Sequence, residues 1–381
     1  MTGVAEVAGT RDSATGAAAL RALAIYLPQY HPVPENNAWW GHGFTEWTNV
    51  TRARPQYPGH FQPHVPSDMG YYDLRVPEVR MAQAELARQH GIHGFCYYHY
   101  WFTGRRILER PFNEVLNSGE PDFPFLLCWA NENWTRRWDG HDKEVLLHQD
   151  YSAEDDINHI RSLFPAFTDP RYIRIDGKPV FMVYRTSLLP EPERTTERWR
   201  TEARRAGIGE LYLIRVESHW RNPRPEALGF DAAMPFAPDW NILAPPRRAP
   251  PFERILRRLH LMEPFLERQG VYSYAELASV MLAQPDAGYL RYPCVTPMWD
   301  NSARRKQRGA AIFHGSTPEL YQRWLHEAVA RFTPPSPDEN LVFINAWNEW
   351  AEGNHLEPCQ RWGSAYLEAT RDVLAHAAAR V

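Results

Sequence analysis

Short apolar segments that end abruptly in polar and aromatic residues recur along the chain, and this feature limits the fold most. In the clearest example, the four apolar residues 341–344 are followed by Asn345, Asn348, Glu349 and Glu352. An unbroken apolar run of this length is typical of a parallel strand that is covered on both faces. We predict seven further strands, at 21–27, 92–100, 123–130, 178–184, 211–216, 230–236 and 294–298.

Helical patterns separate most of the predicted strands. Helices are expected at about 75–90, 108–118, 152–164, 193–206, from 317 onward and 362–379. Two carry N-terminal signals: Ser152 with Asp155 is an acidic variant of the capping box, and Pro318 follows Thr317 at the first helical position. This alternation predicts an α/β fold, the (β/α)8 TIM barrel. A doubly wound open sheet is the alternative, but the sequence has no glycine-rich nucleotide-binding motif to support it.

The polar and aromatic strand ends predict where a binding site lies. Strands two, three, five, seven and eight all break into Trp, Tyr, His, Asn, Asp or Glu at their C-terminal ends. In a barrel these ends surround one opening, where active sites are built. The long segment 32–73 carries Trp39, Trp40, Glu46 and Trp47, and a long loop in a compact domain is usually functional. We therefore expect long loops that form walls at the C-terminal face.

The chain of 381 residues allows one large domain or two ordinary ones. Residues 1–19 are rich in Ala, Gly, Thr and Ser, so we expect a disordered N-terminal tail. The strand pattern makes residues 20–381 a single (β/α)8 catalytic domain, with an insertion at about 238–290 between strands six and seven.

Composition argues against several kinds of partner. The formal net charge of −4 gives no reason to expect nucleic acid. No apolar run is long enough to span a membrane, and no secretory signal pattern is present, so a cytoplasmic location is expected. The cysteines and histidines form no metal-binding motif, so we expect neither a metal nor a cofactor. The sequence does not predict an oligomeric state.

Glu349 and Glu352 are the predicted catalytic residues. If the chain turns helical after strand eight, a spacing of three puts both carboxylates on one side, with Cβ atoms about 5–6 Å apart. Retaining glycosidases have a carboxyl separation of roughly 5–5.5 Å. Two carboxylates so close do not both ionise easily, so one is expected to keep a proton and serve as general acid. The alternative is that Glu352 only stabilises the start of a helix.

Aromatic residues make up 13% of the chain and suggest sugar binding, because sugar faces pack on aromatic rings while polar side chains bind the hydroxyls. The predicted substrate-binding residues are Tyr30, Glu46, Trp47, Tyr97, His99, Trp129, Asn131, Glu132, Trp134, Trp299, Asp300, Trp347 and Asn348. Glu46 is equally suited to pairing with an arginine, and His99 to a place in the core. Glu132 is an alternative general acid, although a role in binding the substrate or in tuning the catalytic pair is favoured. Tyr97, His99 and Trp101 alternate and so share one face of strand two, but alternation does not say which face.

Several motifs resemble those of a known family. Residues 348–353, Asn-Glu-Trp-Ala-Glu-Gly, with Leu-Glu-Pro at 356–358, resemble glycoside hydrolase family 99, the endo-α-mannosidase group. Over about 21–375 the chain more closely resembles the bacterial family 99-like proteins labelled WbsX-type glycosyltransferases, which are found with polysaccharide biosynthesis genes. The other matching segments are 26–32, 43–47, 94–98 and 129–134.

The resemblance implies a (β/α)8 barrel and a reaction with retention of configuration. It implies that Glu349 is the base toward the sugar's own 2-hydroxyl and that Glu352 is the general acid and then base. Such a reaction needs a 2-hydroxyl trans to the leaving group, as in α-mannosides and α-rhamnosides. The chain departs from the hydrolases at Ala351, where they usually carry His, and at Asn133, where they carry Pro. Their sugar and linkage therefore do not transfer to this chain.

The leading hypothesis is a retaining glycoside hydrolase of bacterial polysaccharide metabolism, with an oligosaccharide or polysaccharide substrate. The alternative is a glycosyltransferase or transglycosylase of cell-surface polysaccharide biosynthesis of the O-antigen type, because the same site can pass a glycosyl group to a sugar instead of water. A non-catalytic glycan-binding protein is the third hypothesis, but it would not need two carboxylates at this spacing.

Overall fold

Eight parallel strands form the centre of the fold, and each coincides with a predicted strand. They are β1 (Arg21–Tyr26), β2 (Ile92–Phe102), β3 (Phe125–Trp129), β4 (Lys178–Val183), β5 (Tyr212–Glu217), β6 (Ala232–Pro235), β7 (Cys294–Val295) and β8 (Leu341–Ile344). The structure is a computed structural model that describes residues 20–136, 141–217, 223–243, 245–246, 255, 258–259, 270–305 and 309–378. The tail predicted at 1–19 lies outside the described residues.

Neighbouring strands pair in parallel in the order β6-β5-β4-β3-β2-β1-β8-β7. The two ends of this order meet at a parallel bridge, where Ala233 of β6 pairs with Arg291 just before β7. Backbone hydrogen bonds join Ala233 to Leu290 and to Tyr292, each at 2.9 Å. The sheet is therefore a nearly closed barrel, which confirms the predicted (β/α)8 fold.

Helices connect the strands and also fill the loop after β1. They are α1 (Pro34–Trp40), α2 (Trp47–Arg52), α3 (Pro77–Gln89), α4 (Arg110–Ser118), α5 (Ala153–Ser162), α6 (Phe164–Phe167), α7 (Pro192–Arg205), α8 (Tyr274–Leu282), α9 (Pro318–Arg331) and α10 (Ala365–Ala378). The predicted caps are present: Ser152 accepts a hydrogen bond from Asp155 N, and Thr317 accepts one from Leu320 N. Between β5 and β6 the connection holds a short 3-10 helix, Pro225–Leu228.

Short accessory strands extend the sheet and its C-terminal loops. They pair as Arg105–Ile107 with β2, Trp134–Arg136 with His141–Leu147, Arg174–Ile175 with β4, and Gly270–Ser273 with Ala311–His314. Arg174–Ile175 pairs with the first residues of β4, at the N-terminal end of the barrel. The other three pairs, with α1 and α2, build the long loops predicted for the C-terminal face. In the predicted insertion at about 238–290, the structure describes Gly270–Ser273 and α8, while most of 244–269 lies outside the described residues.

Candidate active site

The C-terminal ends of the strands open into a cleft of about 560 Å³. Cavities of this size are typical of small-molecule sites. Aromatic side chains make up much of the walls: Trp39, Trp40, Trp134, Trp240, Tyr272 and Trp299. The polar side chains of the lining include Gln29, Glu132, Asn301, Arg304, Asn345, Glu349 and Glu352. The cleft therefore combines ring faces with hydrogen-bonding groups, which suits an amphipathic ligand such as a sugar.

The two predicted catalytic glutamates lie on a small hairpin after β8, formed by residues 348–355. Its first two and last two residues pair antiparallel, and a 3-10 turn, Trp350–Glu352, joins them. The expected helical turn is thus a single 3-10 turn. Gly353 follows it with a φ of 53°, in the left-handed region. A Cβ at this position would lie 3.0 Å from the backbone oxygen of Asp300, so the hairpin requires glycine here.

Two side chains tie the 348–355 hairpin to the end of β1. Asn348 Oδ1 accepts from Leu27 N at 2.7 Å, and Asn348 Nδ2 donates to Leu27 O at 3.1 Å. The hydroxyl of Tyr30 accepts from Trp350 N at 3.0 Å. Asn348 and Tyr30 are candidates for substrate binding by sequence, but both are completely buried and lie outside the cleft lining. The structure places them as supports of the hairpin.

The side chain of Arg304 contacts both predicted catalytic glutamates. Its Nη2 donates to Glu349 Oε1 at 2.5 Å, and its Nη1 lies 2.8 Å from Glu352 Oε1. Its Nε donates to Glu46 Oε2 at 3.1 Å. Three carboxylates therefore share one guanidinium, and the arginine partner that sequence reasoning left open for Glu46 is Arg304. Glu46 itself is buried and lies outside the cleft lining.

The charges of this cluster shift the pKa values of its members. Burial raises the pKa of Glu349 well above its usual range; Arg304 opposes the rise, and Glu352 and Glu46 add to it. Burial also raises the pKa of Glu46 against the same arginine. For Arg304, burial acts to lower the pKa, but the three carboxylates outweigh it and hold the pKa well above its usual value. Arg304 therefore stays charged, and Glu349 and Glu46 bind a proton more readily than isolated carboxylates.

Two further predicted binding residues from strand three belong to one arrangement. Glu132 lines the cleft and forms an ion pair with Arg185. Asn131 fixes that arginine, because its Oδ1 accepts from Arg185 N at 2.7 Å and its Nδ2 donates to Arg185 O at 2.9 Å. Asn131 therefore supports Glu132 from outside the lining. Of the aromatic candidates, Trp134 and Trp299 form part of the cleft walls.

The candidates Tyr97 and His99 lie on the outer face of β2. Tyr97 packs on an aromatic ring of α4 at 5.4 Å between centroids, and His99 Nε2 lies 3.0 Å from His159 Nε2 of α5. Burial lowers the pKa of His99 well below its usual value, so its ring is neutral. The cleft is lined instead by Tyr98 and Tyr100, which point the other way along the same strand.

Three tryptophan candidates are core residues in the structure. Trp129 packs on a histidine ring of α5, and Trp347 packs on a phenylalanine ring of β2, with centroids 4.4 and 5.2 Å apart respectively. Trp47 is also buried, and its indole N–H donates to Tyr72 O at 2.7 Å. All three lie outside the cleft lining, so the structure places them in packing positions.

Asp300 supports the segment that leads from β7 to Arg304. Its Oδ2 accepts from Gln62 Nε2 at 2.9 Å and lies 2.6 Å from His60 Nε2, and its Oδ1 accepts from Ser302 N at 3.0 Å. Burial acts to raise the pKa of Asp300, but its hydrogen bond with His60 contributes to a net lowering. Asp300 lies outside the cleft lining and fixes the turn before Arg304.

Several lining residues have weak signals in the sequence. Gln29 lines the cleft and lies next to Tyr30 in the segment that follows strand one. A position directly after a strand indicates Gln29 as readily as Tyr30. Tyr98 and Tyr100 belong to a strand that sequence reasoning identified, but on its other face. Arg304 lies in a basic run, and nothing in that run indicates acidic partners from distant segments.

Within the described ranges, no group of three or more His, Cys, Asp or Glu side chains is placed to hold a metal ion. In the same part of the chain, no helix combines the length and the apolar character that crossing a membrane requires. The four cysteines are free and buried.

A nearly closed barrel with a carboxylate-lined, aromatic cleft at its C-terminal face is the arrangement in which (β/α)8 enzymes build their active sites. Comparison with solved structures agrees. A family 99 endo-α-mannosidase from Bacteroides thetaiotaomicron superposes with a TM-score of 0.58 and 12% identity, over 95% of this chain and 99% of that one. A glycoside hydrolase-like protein superposes with a TM-score of 0.56 and 14% identity, over 97% of each chain. These likenesses concern the fold.

The chain belongs to the WbsX glycosyltransferase family, whose model matches residues 22–370. Two curated relatives, uncharacterized WxcX proteins from two strains of Xanthomonas campestris pv. campestris, are each 46% identical over 356 residues, or 93% of this chain. The chain spans 50% of the length of these relatives. The fold and the family together support a carbohydrate-active enzyme.

Proposed function

We propose that the chain is a retaining glycoside hydrolase that cleaves α-mannoside- or α-rhamnoside-like linkages in bacterial polysaccharide. The observation that carries the proposal is the 348–355 hairpin, which presents Glu349 and Glu352 to one cleft and to one guanidinium. The linkage follows from the reaction that the family resemblance implies, which needs a 2-hydroxyl trans to the leaving group, and a family 99 endo-α-mannosidase shares the fold.

In the proposed first step, Glu349 takes the proton of the sugar's 2-hydroxyl as O2 attacks the anomeric carbon. Glu352 gives a proton to the glycosidic oxygen, so the bond from C1 to that oxygen breaks and the leaving group departs as an alcohol. The intermediate is a 1,2-anhydro sugar. In the second step, Glu352 takes a proton from water as the water oxygen attacks C1, and Glu349 returns its proton to O2. Two inversions at C1 give net retention.

The exposure of the two glutamates suits these roles, and Arg304 favours the ionised form of Glu349 that a base requires, against the burial that raises its pKa. Glu349 is 5% exposed, whereas Glu352 is partly exposed at the cleft. A base that acts on a hydroxyl of the bound sugar works in an enclosed position. An acid/base has to reach first the leaving group and then water, which requires an open one.

The aromatic walls support a substrate longer than one sugar unit. Trp39 and Trp134 pack together at 5.8 Å between centroids, and Trp240 and Trp299 pack together at 5.3 Å. The first pair comes from the loops after β1 and β3, and the second from the segments after β6 and β7. Each pair offers a stacking surface on the same cleft as the two glutamates.

A glycosyltransferase or transglycosylase in cell-surface polysaccharide biosynthesis is the second candidate, and the name of the family favours it. In that reaction a sugar hydroxyl replaces water in the second step. The roles of Glu349 and Glu352 stay the same, so only the acceptor separates the two candidates.

The test is a screen of the purified protein on aryl α-mannosides, aryl α-rhamnosides and oligosaccharides, with NMR of the product anomer. We expect a retained product, and a glycosylated sugar if an added acceptor takes part. Glu349→Gln and Glu352→Gln should each remove turnover, while the surface variant Glu327→Gln should not. An inverted product contradicts the retaining mechanism. Glycan binding without turnover of any substrate would favour a non-catalytic glycan-binding protein.

A further inference from the structure

Glu46 is a buried carboxylate that the proposed reaction does not use. It is 1% exposed and lies outside the cleft lining, so a sugar in the cleft does not reach it. Its Oε2 accepts from Arg304 Nε at 3.1 Å, across a sequence separation of 258 residues. A buried ionised carboxylate is unfavourable unless it is paired, so Glu46 depends on this contact.

We propose that Arg304 is a positioning residue that fixes the base and the acid/base relative to each other, and that Glu46 in turn fixes Arg304. This inference rests on the proposed function and deepens it. Each nitrogen of the guanidinium has its own carboxylate: Nε has Glu46, Nη2 has Glu349 and Nη1 has Glu352. A rigid planar group with three such contacts cannot rotate without losing at least one of them.

The backbone joins the same segments. Asp300 N donates to Glu352 O at 2.7 Å, which links the segment that carries Arg304 to the 348–355 hairpin. A lysine at 304 would offer one ammonium nitrogen in place of three fixed nitrogens. It would keep the charge but would not hold three carboxylates in a set arrangement. Arg304→Lys therefore tests the effect of positioning separately from the effect of charge.

Arg304 also governs the charge of the site. With all groups ionised, three carboxylates and one guanidinium give −3 + 1 = −2. Burial and the charge of Glu349 raise the pKa values of the Tyr30, Tyr98 and Tyr100 hydroxyls, so these hydroxyls are neutral, and Arg305 is a second cation in the cleft lining. Removing the positive charge of Arg304 favours protonation of Glu349. Removing the negative charge of Glu46 has the opposite effect.

The test uses these opposite expected effects on the protonation of Glu349. Glutamate Cδ carbons are titrated by carbon-13 NMR in Arg304→Met, Arg304→Lys and Glu46→Gln, with Glu349→Gln and Glu352→Gln to assign the signals. We expect Arg304→Met to raise the titration midpoint of Glu349 by about one pH unit or more, and Glu46→Gln to lower it by less. Arg331→Met is the matched control, because Arg331 pairs with Glu327 on the surface, and it should leave this midpoint unchanged.

Kinetics on a cleaved glycoside add a second readout. In Arg304→Met, the acidic limb of the pH profile of kcat/KM, which follows ionisation of the base Glu349, should move to higher pH, and kcat should fall by about 10²-fold while KM changes little. Arg304→Lys should recover the pH profile but not the full kcat. Added guanidinium ion at non-denaturing concentration should partly restore the Met variant.

Circular dichroism establishes that each variant is folded; if Arg304→Met does not fold, the lysine and glutamine variants decide the outcome. Unchanged midpoints in a folded Arg304→Met protein, or shifts of the same sign in Arg304→Met and Glu46→Gln, would overturn the proposal. The NMR measurement needs no substrate, so it distinguishes failure of this proposal from failure of the proposed function. If the midpoints move as expected and no glycoside is cleaved, the control of charge by Arg304 stands and the hydrolase assignment falls.

Discussion

Glu349 and Glu357 are buried carboxylates on the same segment of the chain, and their partners differ in charge. Glu349 faces the cleft and contacts the guanidinium of Arg304 at 2.5 Å. Glu357 lies outside the cleft lining and accepts hydrogen bonds from neutral groups: Tyr72 OH at 2.8 Å, Trp350 Nε1 at 2.6 Å and Gln83 Nε2 at 2.6 Å. The first site is charged and borders the cleft, and the second is a closed network of neutral donors.

The two carboxylates of this segment also differ in what sets their pKa values. Burial raises the pKa of Glu357 to about 7, although its hydrogen bonds act to lower it. Burial raises the pKa of Glu349 too, but there a cation and two further carboxylates compete. A carboxylate among competing charges changes its protonation state when a ligand alters the balance. A carboxylate held by three neutral donors keeps its neighbours in place in either state.

Glu349→Gln should have the largest effect on activity. It removes the proposed base and keeps the size of the side chain, so we expect turnover to fall by about 10²–10⁴-fold with little loss of stability. Steady-state kinetics and thermal unfolding on the same preparation measure both quantities. Glu357→Gln is the matched change at the other site and should retain much more activity. Equal losses of activity in the two variants would remove the distinction between the sites.

Glu357→Leu should have the largest effect on stability. It leaves the donors of Tyr72, Gln83 and Trp350 without their acceptor, at about 1–3 kcal/mol for each buried unpaired group. We expect the free energy of unfolding to fall by roughly 3 kcal/mol or more in denaturant titrations at pH 5. The exposed Glu368→Leu on α10 is the control and should stay within about 0.5 kcal/mol of the wild type. A similar small change in Glu357→Leu would show that the network contributes little.

The pH dependence of stability should separate Glu357 from its amide analogue. The folded protein keeps the Glu357 proton up to about pH 7, while the ordinary value is 4.5. The stabilisation from this raised pKa is complete below pH 4.5 and is lost as the pH rises to 7. Relative to Glu357→Gln, the wild type should therefore lose up to about 3 kcal/mol of unfolding free energy over this interval. Parallel denaturant titrations measure it, and a difference that is independent of pH would contradict the assignment.

The smallest expected effect concerns the turn that carries Glu352. Gly353 and Gly363 have nearly the same φ, 53° and 51°, but only at Gly353 would a Cβ meet a neighbour, Asp300 at 3.0 Å. Both alanine variants should lose about 1 kcal/mol or more from the left-handed conformation. Gly353→Ala should lose roughly 1 kcal/mol in addition and should lower kcat, whereas Gly363→Ala should leave kcat unchanged. Unfolding free energies and kcat that are equal in the two variants would show that the contact with Asp300 does not matter.

The fold was predictable because strands that are buried on both faces consist mainly of apolar residues, which are visible in the sequence. Most barrel strands are short and mainly apolar, and all eight predicted strands are strands in the structure. The helix caps at Ser152 and Thr317 depend only on neighbouring residues, so they too could be predicted from the sequence. The same holds for the 348–353 motif, in which both proposed catalytic residues lie within four consecutive positions.

The rest of the site depends on information that a local pattern lacks. Alternation along β2 predicts that Tyr97 and His99 share one face, but it does not predict which face points into the barrel. In the structure the opposite face, with Tyr98 and Tyr100, lines the cleft. The contact between Glu46 and Arg304 joins residues 258 positions apart, and the barrel alone brings them together. Trp129 and Trp347 stand near polar residues in the sequence, as tryptophans of a sugar site do, but both side chains are buried in the core. The sequence alone does not distinguish these two environments.

The 348–355 hairpin divides the site into a constant part and an adjustable part. Both glutamates are attached to one tight turn, so a distortion of the barrel moves their backbones together, while Arg304 sets how their carboxylates are held. The aromatic walls come from other loops. Exchange of the walls would change which ligand the cleft fits while the hairpin and Arg304 keep the two carboxylates in place, so these two elements together are the unit to preserve when the cleft is redesigned.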